Sequence, residues 1–223
     1  MSSTTPPSTA LIKSAALLSL LVIALGVTAL FALSYTNQRS EEMLDHLDQF
    51  HAAEIAATET RANFKTQVQE WKNLLLRGND PKSFTRYHQQ FKQRSEEVQK
   101  KLAELQRLLE ALDEDSTIPK TLTEEHQALN KIYTEALTHY NPQQADSAFK
   151  VDAAVRGADR PLSNKIEQLA TDMYQLAQKH HQTAQQDAAS RYASLRQVTT
   201  IVTALTILVS FALVFFANRR PRA

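Results

Sequence analysis

Two uninterrupted apolar runs lie near the ends of the chain, and a long segment of mixed polarity separates them. Residues 11–33 contain one charge, Lys13, and residues 198–216 contain none. A helix of about 20 apolar residues crosses a bilayer, so each run predicts a membrane span. A cleaved secretory signal is the alternative for the first run, but its apolar core would be only about 7–15 residues long. A small-residue cleavage site at 32–34 keeps that alternative open.

The segment between the spans, residues 36–197, repeats apolar residues at alternating steps of three and four. Breaks that contain glycine or proline interrupt the repeat at 77–81, 113–120 and 139–147, which leaves four stretches. Residues at this spacing share one face of a helix, and four such faces can bury one another. The pattern therefore predicts an all-α fold, an antiparallel four-helix bundle whose first and last helices continue into the two spans. The four predicted stripes are Met43, Leu47, Phe50, Ala57, Phe64, Val68, Trp71 and Leu75; Phe84, Tyr87, Phe91, Val98, Leu102, Leu105, Leu109 and Leu112; Leu122, Leu129, Ile132 and Ala136; and Val155, Ala158, Leu162, Ile166, Leu169, Met173 and Leu176.

Charge is distributed unevenly between the outer segment and the ends of the chain. All 24 acidic residues lie between Glu41 and Asp187, whereas Lys13, Arg219, Arg220 and Arg222 are basic residues outside the outer segment. Basic residues beside a span stay in the cytoplasm, which predicts that both termini are cytoplasmic. The expected order is a cytoplasmic stub at residues 1–10, spans at 11–35 and 198–216, a periplasmic domain at 36–197, and a cytoplasmic tail at 217–223, all in a bacterial inner membrane.

Composition and motifs narrow the function classes further. Two spans require a lipid bilayer as a partner. The formal net charge of +1 argues against a nucleic-acid partner. The absence of cysteine fits an oxidising compartment. No glycine-rich phosphate loop, GxSxG sequence or cysteine nucleophile occurs, so we expect no enzyme and no cofactor. The seven histidines lack HxxxH or HExxH spacing, so we also expect no metal site.

Two short strings are more specific than the bundle pattern. They are VQEWKNLLLRGNDP at residues 68–81 and VRGADR at residues 155–160. Together with the two spans and the helical middle, they make most of residues 11–217 resemble the periplasmic sensor module of bacterial methyl-accepting chemotaxis receptors. The resemblance implies a dimer that binds small molecules or a periplasmic binding protein outside the membrane. It also implies that a small displacement of the last helix passes through the second span.

The resemblance stops after the second span. Members of that family continue there into a linker module, methylated helices and a tip that controls a histidine kinase, and residues 217–223 hold none of these. We therefore expect a receptor without its own output, a truncated receptor, or a separate protein built on the same module. Such a chain would act through a membrane-protein partner that supplies the output.

The two strings also contain the candidate ligand site. In an antiparallel bundle the end of the first outer helix and the start of the fourth meet at the membrane-distal tip. Guanidinium groups there would clamp a carboxylate, so we expect a small anionic ligand. The alternative is structural, with Arg156 or Arg160 paired to Glu70 and Trp71 filling the core. The candidate residues are Glu70, Trp71, Arg77, Arg156, Asp159 and Arg160.

Two charged residues interrupt the apolar stripe of the first outer helix. Glu54 and Arg61 are too far apart along one helix to pair with each other, so their partners must lie across the bundle or across a dimer seam. A polar position in such a seam more often sets the register of the helices than binds a ligand. We expect a homodimer whose seam includes Met43, Leu47, Phe50, Glu54 and Arg61.

Two functions from different classes follow from these observations. The first is a chemoreceptor-like sensor that binds a small molecule in the periplasm and acts through a partner protein. The second is a structural or assembly subunit of a larger membrane complex, which uses the same helical bundle and binds no ligand. The polar residues at the tip favour the sensor, and the missing cytoplasmic output favours the structural subunit.

Overall fold

A computed structural model describes the backbone of residues 9–218 and the side chains of residues 13 and 15–215. These residues form five α-helices and no β-strand. The helices are α1 (Thr9–Arg77), α2 (Pro81–Ala111), α3 (Thr117–Leu137), α4 (Ser147–Val155) and α5 (Arg160–Asn218). Most of the predicted N-terminal stub and the predicted basic tail, with Arg219, Arg220 and Arg222, lie outside the described residues.

The chain divides into two compact units, and α1 and α5 belong to both. Residues Asp45–Gln182 form one unit, called the helical unit below. The described residues up to Leu44 and from Thr183 form the other, called the span unit below. By length and composition, α1 and α5 are each long and apolar enough to cross a membrane, and no part of their most apolar windows is buried. The structure is therefore compatible with two membrane spans.

The turn between α1 and α2 follows from the local sequence. α1 ends at Arg77, and the next residue is Gly78, where a Cβ would collide with a carbonyl oxygen of the preceding turn. Asp80 caps α2, because its Oδ1 accepts hydrogen bonds from two backbone N–H groups of the first turn, at 3.1 and 3.0 Å. Pro81 is the first residue of α2, a position where proline is favoured. The predicted break is confirmed, as are those at the α2–α3 and α3–α4 connections.

The fourth predicted helix is divided in two just after Val155, the first residue of its predicted stripe. α4 ends at Val155, and α5 begins at Arg160. Gly157 lies between them with φ +80°, a left-handed conformation that glycine adopts without strain. Pro161 then falls in the first turn of α5, where its missing N–H leaves no helical hydrogen bond unmade.

One hydrophobic core fills the helical unit and takes buried residues from all five helices. Most of the predicted stripe positions within this unit are buried or packed against the core. α3 differs from the prediction, because Ile132 is 43% exposed and Tyr133 is buried instead. The large ring of Tyr133 removes more apolar area from water than Ile132 would. The buried face of α3 includes Leu122, His126, Leu129, Tyr133 and Ala136.

A layer of polar side chains crosses the core at His126, which is 0% exposed. Gln67 Oε1 of α1 lies 2.7 Å from His126 Nε2, and Gln99 Nε2 of α2 lies 2.5 Å from His126 Nδ1. The Gln67 amide nitrogen donates to Asn130 Oδ1 at 2.6 Å. Because an amide oxygen only accepts and an amide nitrogen only donates, this arrangement assigns a neutral ring with its proton on Nε2. The layer ties α1, α2 and α3 into one register.

Protonation of His126 should destabilise the fold. Burial lowers the pKa of His126 from 6.5 to about 4, so below pH 6.5 the unfolded chain binds a proton that the folded chain does not. This residue should therefore lower the free energy of unfolding by roughly 3 kcal/mol as the pH falls from 6.5 to 4, and should have no effect above that window. Urea unfolding of the full chain in detergent, followed by circular dichroism, measures the loss.

The contribution of His126 is the difference between the wild-type chain and a His126→Gln variant, because the carboxylates titrate in both. We expect the variant to lose less stability over this pH window. His139 is exposed, so His139→Gln is the matched control and should keep the wild-type profile. Parallel pH profiles for the wild-type chain and His126→Gln would contradict the assignment of a buried, neutral ring.

Candidate functional site

Trp71 lies at the centre of an aromatic cluster drawn from three helices. Its ring stacks on Tyr133 of α3, with ring centroids 4.5 Å apart and 29° between the planes. Phe91 of α2 packs against both rings, at centroid distances of 5.7 Å from Trp71 and 5.8 Å from Tyr133. Each such aromatic pair adds about 0.5–1.5 kcal/mol beyond the burial of apolar area. Trp71, Phe91 and Tyr133 are called the aromatic cluster below.

The indole N–H of Trp71 is buried without an acceptor. Trp71 is 2% exposed, and no described atom accepts a hydrogen bond from its Nε1. Among the described side chains, this is the one fully buried nitrogen or oxygen that lacks a partner. Leaving a buried donor unsatisfied costs about 1–3 kcal/mol, and native proteins retain few such groups. Trp71 is therefore a candidate for a role beyond filling the core.

Tyr133 connects the two strings that the sequence singled out. Its ring stacks on Trp71 of the first string, and the negative charge of Asp159 in the second string acts on the pKa of its hydroxyl. Burial raises the pKa of Tyr133, and the negative charges of Asp159 and Asp152 raise it further. Tyr133 was not predicted as a site residue. Its spacing of seven from His126 on the buried face of α3 is the signal that could have identified it.

Arg156 is exposed and has an acidic partner of its own. Its Nη2 lies 3.5 Å from Asp152 Oδ2, four residues earlier in the chain. Its guanidinium carbon lies 5.7 Å from the ring centroid of Phe149, which adds a cation–π contact. Within the described part of the chain, no salt bridge joins Glu70 to Arg156 or Arg160. Glu70 instead accepts a hydrogen bond from Asn73 Nδ2 at 3.2 Å.

The other two candidate arginines lie in different surroundings. The Arg160 side chain is exposed and packs over Gly157, where a Cβ would come within 3.7 Å of Arg160 Nε. Arg77 donates to the hydroxyl of Tyr87 at 3.4 Å, which raises the pKa of Arg77 and lowers that of Tyr87. The structure thus relates Trp71 to Asp159 through Tyr133, whereas Arg77 interacts with α2.

A cavity of about 370 Å³ lies beside the α1–α2 turn. It contains none of the predicted site residues, although Gly78 and Asp80 of the first string line it. Phe84 and Tyr140 both line it, and their nearly parallel rings stack with centroids 5.7 Å apart. Tyr140 belongs to the α3–α4 connection, so the sequence spacing gave no signal that would bring it to this turn.

Most of the predicted seam residues have contacts inside the chain. Phe50 is buried and stacks on His180, with centroids 3.7 Å apart. Arg61 Nη1 lies 2.9 Å from Glu167 Oε1 of α5, so its charge is satisfied across the bundle. Glu54 lies 3.5 Å from the ring of His51 on the same helix. Leu47 is half-buried, and Met43 Sδ lies 3.8 Å from Arg191 Nη2.

The side chains that the structure describes include no candidate metal site. Within that part of the chain, no group of three or more histidine, aspartate or glutamate side chains is arranged to hold a metal ion. Both ring nitrogens of the buried His126 are hydrogen-bonded to glutamine side chains.

Comparison with known proteins gives a partial match to a chemotaxis receptor. The chain is 32% identical over 130 residues to the methyl-accepting chemotaxis protein CtpH of Pseudomonas aeruginosa. The match covers 58% of this chain and 22% of that protein, so the chain spans under a quarter of the length of this relative. No protein-family model and no solved structure matches. The similarity supports a chemoreceptor-related helical protein.

Removing the Arg156 side chain should leave the stability of the chain almost unchanged. The side chain is exposed, and exposed salt bridges such as Arg156–Asp152 contribute about 0–1 kcal/mol. If Arg156 were the structural partner of a buried Glu70, Arg156→Ala would instead cost about 3–5 kcal/mol. Thermal unfolding of the full chain in detergent separates the two cases. A large fall in melting temperature that Glu70→Gln rescues would show that the pairing described above is wrong.

Proposed function

We propose that the chain is a chemoreceptor-like sensor of a bacterial inner membrane, which binds a small molecule in the periplasm and acts through a partner protein. In this proposal the helical unit is the sensor module, an antiparallel four-helix bundle in which α4 and α5 share the fourth position. α1 and α5 continue into two membrane spans, and both termini are cytoplasmic. The similarity to a chemotaxis receptor and the two long apolar helices support this proposal.

The unpaired indole N–H of Trp71 is the observation that carries ligand binding. A ligand with an acceptor oxygen would supply the missing hydrogen bond and offset the cost of about 1–3 kcal/mol. Trp71 is buried, so the ligand reaches it only when the aromatic cluster opens. Binding is thereby coupled to the packing of α1, α2 and α3, and through Tyr133 to the turn before α5. That coupling is what a sensor requires.

A small carboxylate best fits the groups around the aromatic cluster. Trp71 offers an N–H donor, and Arg160 at the start of α5 carries an exposed guanidinium without a described salt bridge. A guanidinium matches the two oxygens of a carboxylate. Asp159 is half-buried and its negative charge raises the pKa of Tyr133, so an ammonium group on the same ligand would also find a partner. We therefore propose organic acids and α-amino acids as the ligand classes.

A homodimer is part of the same proposal. Phe50 and Arg61 are already satisfied within the chain, so neither needs a second copy. Leu47 and Glu54 keep partly exposed side chains and are the predicted seam residues that a second copy would contact. The partner protein that would carry the output remains a prediction from the sequence.

Replacing Trp71 with phenylalanine should remove ligand binding while keeping the fold. Trp71→Phe retains a ring for stacking on Tyr133 but deletes the N–H donor. Removing the unsatisfied donor offsets part of the cost of the cavity that the smaller ring leaves, so the ligand-free chain should stay folded. Losing one hydrogen bond to a charged group should weaken binding by roughly ten- to a hundredfold. Thermal-shift titrations of the full chain in detergent, with a panel of mono- and dicarboxylates and α-amino acids, measure both effects.

Tyr174→Phe is the matched control, because Tyr174 is an exposed ring in the same unit and should not affect binding. A panel member that stabilises the wild type and Trp71→Phe equally would place the ligand elsewhere. If α-amino acids stabilise the chain more than simple carboxylic acids do, Asp159 takes part in binding.

Two exposed apolar side chains favour the alternative function, a structural subunit of a membrane complex. Leu76 near the end of α1 is 78% exposed, and Phe149 of α4 is 67% exposed. Exposed apolar side chains mark a protein-binding surface when they form one contiguous patch, so this function requires that Leu76 and Phe149 contact the same partner. If no panel member stabilises the chain and the same partner proteins co-purify with it, the structural function is supported instead. Those partners should then be lost from Leu76→Ser or Phe149→Ser variants.

A further inference from the structure

The span unit contains a cavity of about 610 Å³ between α1 and α5. Residues one helical turn apart line each wall, with Arg39 and Met43 on α1, and Arg191 and Leu195 on α5. Most of the lining is apolar, and the two arginines add positive charge. An apolar wall beside cationic groups fits an amphiphile that has an anionic head.

Arg191 lines this cavity without an acidic partner. Its Nη2 lies 3.8 Å from Met43 Sδ, and its Nε donates to the Asp187 backbone carbonyl at 3.2 Å. No carboxylate among the described residues lies within salt-bridge distance of Arg191. Arg39 differs, since its guanidinium pairs with Glu42 at 3.1 Å. Arg191 therefore keeps N–H groups for an anion from outside the chain.

The position of the cavity along the chain favours a lipid over other occupants. Its lining residues on α1 fall directly after the apolar run 11–33, and those on α5 fall directly before the run 198–216 or, for Val198, at its start. At such a boundary, arginine and tyrosine meet lipid headgroups, while aliphatic side chains contact acyl chains. A free anion would gain nothing from the apolar wall. A second copy of the chain, placed symmetrically on this groove, would bring a second Arg191 toward the first, and the two positive charges would repel each other.

We propose that the cavity between α1 and α5 binds one anionic membrane phospholipid, with its phosphate at Arg191 and an acyl chain against Met43, Leu195 and Val198. The planar fork of arginine can donate two parallel hydrogen bonds to a phosphate. The thioether and aliphatic side chains gain from contact with the hydrocarbon. This site shares no residue with the aromatic cluster, so it goes beyond the proposed function and stands independently of it.

Native mass spectrometry of the full chain tests this proposal. The chain is released from nanodiscs that contain equal amounts of phosphatidylglycerol and phosphatidylcholine, and the retained lipid is identified. We expect preferential retention of one phosphatidylglycerol by the wild type. Arg191→Gln should lower that preference by roughly fivefold, the contribution of one arginine to binding an anionic lipid. Arg196→Gln is the matched control, because Arg196 is an exposed arginine of α5 outside the cavity lining.

A second variant tests the apolar wall without altering charge. Leu195→Trp fills the cavity and should reduce retention of both lipids, and circular dichroism checks that each variant keeps its helix content. Equal preference for phosphatidylglycerol in the wild type and Arg191→Gln would overturn the proposal. So would full displacement of the lipid by millimolar inorganic phosphate, which would indicate a simple anion site. A lipid-free dimer that is crosslinked through a Leu44→Cys variant would also overturn it, because a second copy would then fill the groove.

Discussion

The burial of Trp71 is the interaction on which the rest of the helical unit depends. Its ring fills the space between α1, α2 and α3 by packing on Phe91 and Tyr133. Tyr133 in turn lies near the charge of Asp159, at the turn from which α5 begins. The same packing leaves one strong donor, the indole N–H, without an acceptor. Among the described side chains, the other fully buried nitrogen and oxygen atoms have hydrogen-bond partners, so the indole N–H is the unsatisfied donor at which the proposed ligand would bind.

Polar contacts fix the helices around this cluster. The Gln67–His126–Gln99 hydrogen bonds hold α1, α2 and α3 in one register, because a shift of any helix would leave a buried amide or imidazole unsatisfied. Arg61 and Lys65 of α1 both bind Glu167 of α5, and these hydrogen bonds lower the pKa of the Glu167 carboxyl. These surface ion pairs contribute little stability, so most of the free energy that holds α1 against α5 comes from the shared core.

The sequence predicted the helix ends better than the site, for a physical reason. Gly78 and Pro81 determine the local backbone by themselves, so the α1–α2 turn could be read directly. The choice between Ile132 and Tyr133 depends on a partner ring, Trp71, that lies on another helix, and spacing within α3 could not decide it. Arg156, in contrast, pairs with Asp152 four residues earlier, a local spacing that the sequence itself displays.

The indole N–H resonance of Trp71 offers the most direct measurement, because the chain contains one tryptophan. Its nuclear magnetic resonance signal can be followed in the full chain in detergent while a carboxylate that stabilises the chain is added. A ligand that accepts the Trp71 hydrogen bond should shift this signal saturably and slow its hydrogen exchange, with the same midpoint as the thermal stabilisation. A stabilising ligand that leaves the indole signal unmoved would contradict the central claim.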